Sequence, residues 1–197
     1  MRLSDRLLRS SALFHYTCMV VHLGSMKRLT AALALEDGER LLDVGCGTGI
    51  CATLARGIYV GCDTFVPYLD FCRRRAAGRS HLFVAMNAAN MCFGDRAFDK
   101  AIVTNMVHHL DNSAADRMLA ELRRVVRKRV VLMDAALDIA NPIERFVLSH
   151  DRGDYLRDGA ALRSLLSRHF DIEDQETFHN TLHFVPQIVF RLVPRVL

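Results

Sequence analysis

Apolar positions recur along this chain in two rhythms, and the changeovers between them mark its elements. Leu13 to Leu23 is an apolar run interrupted by His15, Tyr16 and His22 that reads as a helix. Gly24-Ser25 divides the first 35 or so residues into two helical pieces. Arg40–Val44 is a short strand after the Asp37-Gly38 turn, and a glycine-rich turn follows it. A short helix over roughly Thr48–Arg56 ends at Gly57, and Ile58–Cys62 is the second strand. Thr64–Ala77 is the next helix, with Pro67 tolerated in its first turn and Gly78 as its stop. His81–Met86 and Phe98–Thr104 are the third and fourth strands. Ser113 to Asp116 has the form of a capping box, opening a helix whose Met118, Leu119, Leu122, Val125 and Val126 recur at helical spacing. Arg129–Met133 is the fifth strand.

Beyond this point the pattern changes. Ala135–Arg157 is irregular or short-helical, Asp158–His169 is a helix, and Ile172–Phe178 and Leu182–Val193 are strands joined across the His179-Asn180-Thr181 turn. Apolar strands alternating with helices predict a doubly wound, mostly parallel α/β sheet, here of seven strands ending in an antiparallel hairpin. No repeat or linker interrupts the pattern, so residues 1–197 are expected to form one domain. Residues 1–35 would form a helical cap and 135–157 an insertion on the substrate side.

Composition narrows the class of protein. A 51% hydrophobic content supports a packed core and excludes a disordered chain. The six cysteines include no C-x-x-C pair, which points to reduced, buried thiols in a cytoplasmic protein without a structural metal. The Leu13–Leu23 run is too short to span a membrane, so no membrane association is expected. The net charge of +4 is modest. Arg73-Arg74-Arg75, and Arg123-Arg124 with Arg127-Lys128-Arg129, belong to helices or their ends, and nucleic acid is not the expected partner. Lysine occurs only at Lys27, Lys100 and Lys128, a bias consistent with a high-GC bacterial source.

The chemistry concentrates after the first strand. Gly45, Gly47 and Gly49 allow a sharp turn and a close approach of backbone to a ligand, with the following N–H groups aimed at the same place. The spacing is G-x-G-x-G, so the dinucleotide pattern fails at its third glycine, and no lysine follows to make a phosphate loop. Asp43, just ahead of the glycines, would repel a pyrophosphate and attract an ammonium or sulfonium. Asp63, after the second strand, can accept both hydroxyls of a ribose, and can equally serve as a helix cap.

The segment Asp43-Val44-Gly45-Cys46-Gly47-Thr48-Gly49 resembles motif I of the class I S-adenosylmethionine-dependent methyltransferases. The stretch from Ala97-Phe98-Asp99 through Asn105 to His108-His109-Leu110 is similar to the family's fourth strand and the loop after it. The resemblance covers roughly residues 35–135. It departs where Arg127-Lys128-Arg129 replaces the usual Gly-Gly turn, and where Asn87 stands in place of an aspartate. It implies a Rossmann-like fold, S-adenosyl-L-methionine as cofactor, and methyl transfer to a small-molecule acceptor in bacterial secondary metabolism. By that resemblance Asp43, Gly45, Cys46, Gly47, Gly49, Asp63, Asn87, Ala88 and Asn105 would hold the cofactor. His108 and His109 are candidate bases, each with a structural hydrogen bond as the competing role. Acceptor recognition would fall to Phe14, His15 and Tyr16 of the first helix and to Arg145, His150 and Tyr155 of the insertion. Two alternatives remain at this level: a cyclase or other transferase using the same cofactor, and a cofactor-binding subunit without catalysis.

Overall fold

The computed structural model describes residues 10–22, 24–76, 79–137, 141–142, 144, 154–179 and 186–195. Helix α1 (Ser11–His22) and helix α2 (Ser25–Leu33) precede strand β1 (Leu41–Val44). Strand β2 (Tyr59–Asp63), helix α3 (Val66–Arg75), and strands β3 (His81–Ala85) and β4 (Phe98–Thr104) follow. Helix α4 (Asn112–Val125) runs directly into strand β5 (Val126–Ala135), and helix α5 (Gly159–Leu166) leads to strands β6 (Phe170–His179) and β7 (Pro186–Pro194). The seven strands form one sheet in the order β3-β2-β1-β4-β5-β7-β6. Strands β3 to β5 pair in parallel, and β7 is antiparallel to both β5 and β6.

Both faces of the sheet are buried, which is why its central strands read as continuous apolar runs. Consecutive side chains go to opposite faces. Leu42, Val103 and Leu132 pack with α4 (Met118, Leu119, Leu122) and α5 (Leu162, Leu166). Leu41, Ile102 and Val131 pack with α2 (Leu29, Leu33) and α3 (Leu69, Cys72). The strand order reverses between β1 and β4, so the loops after those strands open a crevice at their carboxyl ends.

Several boundaries differ from the sequence expectation. The helix expected over Thr48–Arg56 is a 3-10 turn, Ile50–Leu54. The chain must return to β2 within a few residues, and Gly57 lies so close to strand-side backbone that a Cβ there would sit 2.6 Å from the Glu39 carbonyl. Helix α4 is capped by Asp111, whose carboxylate accepts from the Ala114 amide at 2.7 Å, not by a Ser113–Asp116 box. Ser113 instead accepts from Arg117. Strand β5 begins three residues before Arg129, because the basic side chains there meet the carboxylates of Glu39 and Asp99 instead of solvent alone. The turn at Asn180-Thr181, and most of the 135–157 insertion, lie outside the described residues.

Candidate active site

The glycine loop leaves β1 at the switch point and is pinned from beneath by β2. The amides of Gly45 and Cys46 both donate to the Cys62 carbonyl, at 2.8 and 3.0 Å. Gly45 has φ +71°, and a Cβ there would lie 2.7 Å from the Met106 sulfur. Glycine is therefore required at that position both by conformation and by the approach of the loop after β4. Cys72 donates its thiol to the Gly47 carbonyl at 3.5 Å. Burial pushes the thiols of Cys62 and Cys72 up to about 12, so both act as packing groups.

Asp43 and Asp63 stand on either side of this loop and are held differently. The Asp63 carboxylate accepts from the Gly47 amide at 2.9 Å with one oxygen and from the Phe65 amide at 2.8 Å with the other. It thus joins the glycine loop to the loop after β2, and each oxygen retains a further lone pair for a hydroxyl. Asp43 is buried beneath the loop and accepts a 2.5 Å hydrogen bond from the Tyr59 hydroxyl. Its second oxygen is buried with no hydrogen-bond partner among the described residues. Burial, with the Asp63 charge adding to it against the Tyr59 hydrogen bond, raises the Asp43 pKa to about 7.

The other expected cofactor residues lie around the same crevice. The Asn87 side-chain oxygen accepts from the Ala89 amide at 2.9 Å, closing a local turn beside the buried Ala88. Asn105 adopts φ +49°, with its amide donating to the Met133 carbonyl at 2.8 Å. Helix α1 lies over the glycine loop. The Phe14 ring is 3.5 Å from where a Cβ of Gly47 would be and stacks on Tyr68. His15 is hydrogen-bonded to the Thr48 hydroxyl at 3.1 Å. Burial, helped by the charge of Arg75, holds the His15 pKa below the usual imidazole value. Tyr16 is on the opposite side of α1, 58% exposed, away from the loop.

A second polar cluster occupies the ends of β4 and β5. His108 is buried, and its ring Nδ1 donates to Asp134 at 2.5 Å. The same Asp134 oxygen accepts from the Ala135 amide, so the carboxylate is the acceptor in both bonds and Nδ1 of His108 the donor. The other Asp134 oxygen accepts from the His108 amide at 3.2 Å. Tyr155 donates its amide to the His108 carbonyl at 3.0 Å, which brings this part of the insertion to the loop. Arg157 donates to the carbonyls of Val107, Leu110 and Tyr155 and to Asn112, so its guanidinium serves as a strut. His109 is exposed, its ring 4.2 Å from that of His108. His150 and Arg145 lie outside the described residues. Asp134 was missed as a site residue: its role depends on β4 and β5 being neighbours, which no local pattern records.

Residues 41–129 match a protein family described as methyltransferase domain. The matched segment runs from β1 into the start of β5 and resembles that domain. Among curated relatives, an O-methyltransferase from Penicillium expansum is 34% identical over 118 residues, 54% of this chain and 41% of that protein. A fatty-acid O-methyltransferase from Mycolicibacterium smegmatis is 34% identical over 103 residues, 50% of this chain and 37% of that protein. The alignments therefore span less than half the length of either relative, one fungal and one bacterial. The solved structure of magnesium protoporphyrin IX methyltransferase from Synechocystis PCC 6803 shares the fold, with a TM-score of 0.75 at 17% identity, covering 98% of this chain and 99% of that one. The residues present in the crevice fit S-adenosylmethionine. The orphaned Asp43 oxygen suits a cationic group, and each Asp63 oxygen keeps acceptor capacity for a hydroxyl. Among the described residues no cluster of histidine, cysteine or carboxylate side chains could hold a metal ion.

Proposed function

We propose that this protein transfers a methyl group from S-adenosylmethionine to an oxygen atom of a small-molecule acceptor. The observation that carries the reading is the buried Asp43 carboxylate, with one oxygen lacking a partner, directly beneath a glycine loop at the switch point. S-adenosylmethionine, when bound, supplies an electrophilic methyl carbon on a sulfonium. Asp43 holds the cationic end of that ligand, Asp63 accepts from its ribose, and the backbone at Gly45–Gly49 approaches it closely. Asn87, Ala88 and Asn105 complete the wall.

The acceptor side belongs to the loop after β4. His108, oriented through Nδ1 by Asp134, is the candidate base for a hydroxyl proton released during methylation. Tyr155, exposed beside it, is an acceptor contact. Much of the acceleration comes from holding acceptor and methyl in line, with water kept from the glycine loop by Phe14 and His15. Oxygen as the atom methylated is supported by the names of the two relatives and by the His108–Asp134 pair, since a protonated hydroxyl needs a base.

The test is incubation of the purified chain with methyl-labelled S-adenosylmethionine and a panel of phenols, enols and fatty acids. Label should appear in an O-methyl product alongside S-adenosylhomocysteine. Cofactor binding without label transfer to any acceptor would favour a cofactor-binding subunit. Turnover of an acceptor with the label retained on the cofactor would favour a cyclase.

A further inference from the structure

Helix α1 is more apolar than its packing requires. Its inner side, Phe14 and His15, covers the glycine loop and contacts Tyr68 and Phe71 of α3. Its outer arc carries Leu13, Tyr16, Met19 and Val20, which are 43%, 58%, 43% and 44% exposed. These positions fall together on a helical wheel, and no charged residue occurs anywhere in the helix. The patch continues to the start of α3, where Phe65, just ahead of the helix, and Val66 are exposed. The Ser11 hydroxyl donates to the Pro67 carbonyl and Phe65 packs on Tyr68, joining the two helices at that edge. A helix apolar on both sides is ordinarily covered on both, and a contiguous exposed group marks a contact surface.

The surrounding charge identifies the partner. From Arg6 to Leu35 the sequence contains no aspartate or glutamate, and Arg6 and Arg9 precede the apolar run, whereas Arg28 beyond it is paired with Glu176 of β6. Arg74 and Arg75 are exposed at the end of α3, and the Arg75 guanidinium lies over Phe71, the ring that His15 touches. A second copy of the chain docking arc to arc would set these cations against their equivalents. An apolar strip on α1 without acidic residues, beside the exposed Arg74 and Arg75 of α3, matches acyl chains beneath anionic headgroups.

We infer that the outer arc of α1 docks on an anionic lipid surface, with Leu13, Tyr16, Met19 and Val20 in the acyl boundary and Arg74 and Arg75 at the phosphates. Among the described residues no helix is long and apolar enough to cross a membrane, and this contact needs none. The helix that roofs the glycine loop on one side would thus rest on lipid with the other. The inference stands independently of methyl transfer, because binding is read without cofactor or acceptor.

The experiment is co-sedimentation of the full chain with phosphatidylglycerol vesicles and with phosphatidylcholine vesicles. Binding to the anionic vesicles should exceed binding to the neutral ones by about tenfold or more and weaken with added salt. Leu13→Glu with Val20→Glu, and separately Arg74→Gln with Arg75→Gln, should each lower it by about tenfold while circular dichroism stays unchanged. Both sites are exposed, so folding is preserved. Equal binding by the variants, or none by the parent chain, overturns the proposal. So does sedimentation of the parent as a dimer that Leu13→Glu with Val20→Glu makes monomeric.

Discussion

Asp43 carries the largest burden of any single residue. Its carboxylate is fully enclosed, paired on one oxygen with Tyr59, and raised to about 7 by burial and by Asp63. A cation placed against the orphaned oxygen favours the ionised form, so binding releases a proton wherever the free protein holds Asp43 neutral. Affinity for S-adenosylhomocysteine, whose ammonium survives transfer, should rise with pH toward about 7 and level off above it. Asp43→Asn should weaken binding by about tenfold or more and remove that slope, as calorimetry near pH 6 and pH 8 would show. The acid beside the glycines was visible in the sequence, but its confinement was not. Tyr59 reaches it only because Leu41 and Tyr59 stand side by side in the β1–β2 pairing. Asp134 is the same lesson on the acceptor side, where strand adjacency makes the partner of His108.

Among elements, the amino-terminal edge of the sheet is held by buried charge. Lys100 of β4 donates to Glu39 at 2.9 Å and to the Ala34 carbonyl at the end of α2 at 2.6 Å. Lys128 of β5 reaches the other Glu39 oxygen at 2.7 Å, and Arg127 pairs with the buried Asp99. Burial alone would raise both acids, but hydrogen bonds and charges from these partners and nearby amides hold them below the usual carboxylate range. Glu39→Ala leaves Lys100 buried without its counter-charge and should cost about 3 kcal/mol in urea unfolding. Asp37→Ala, which removes the exposed partner of Arg56, should change stability by less than about 0.5 kcal/mol. The strands themselves were legible because both faces of the sheet are covered. The exact start of β5 was not, since Arg127-Lys128-Arg129 reads as a turn until the acids of β4 and of the segment before β1 are brought beneath it.

For the whole molecule, the carboxylates pull stability in opposite directions with pH. Glu39, Asp99, Asp116 and Glu121 are all held low, so the stability they confer is present above the ordinary carboxylate range and is lost as pH falls through their folded values. Asp43 is raised, so the folded state binds a proton that the unfolded chain has already released. Its contribution therefore declines as pH rises from about 4 to about 7. Without cofactor, stability measured by urea unfolding across pH should peak in that window. Saturating S-adenosylhomocysteine should move the peak toward neutrality, because the ionised Asp43 then has a partner.

The sequence by itself determined the alternation of strands and helices and the glycine loop with an acid on each side. Each of these is written in contiguous residues whose periodicity or backbone demand is local. In the last two strands the apolar Pro186–Pro194 takes the interior position and the charged Phe170–His179 the edge. Only the tertiary structure decided that β7 is inserted antiparallel beside β5, that Asp134 clamps His108, and that α1 roofs the loop with Phe14 and His15 while turning Tyr16 outward. Those facts depend on which distant segments become neighbours. That choice is made by burial of both sheet faces at once, a property of the folded chain and of no single stretch within it.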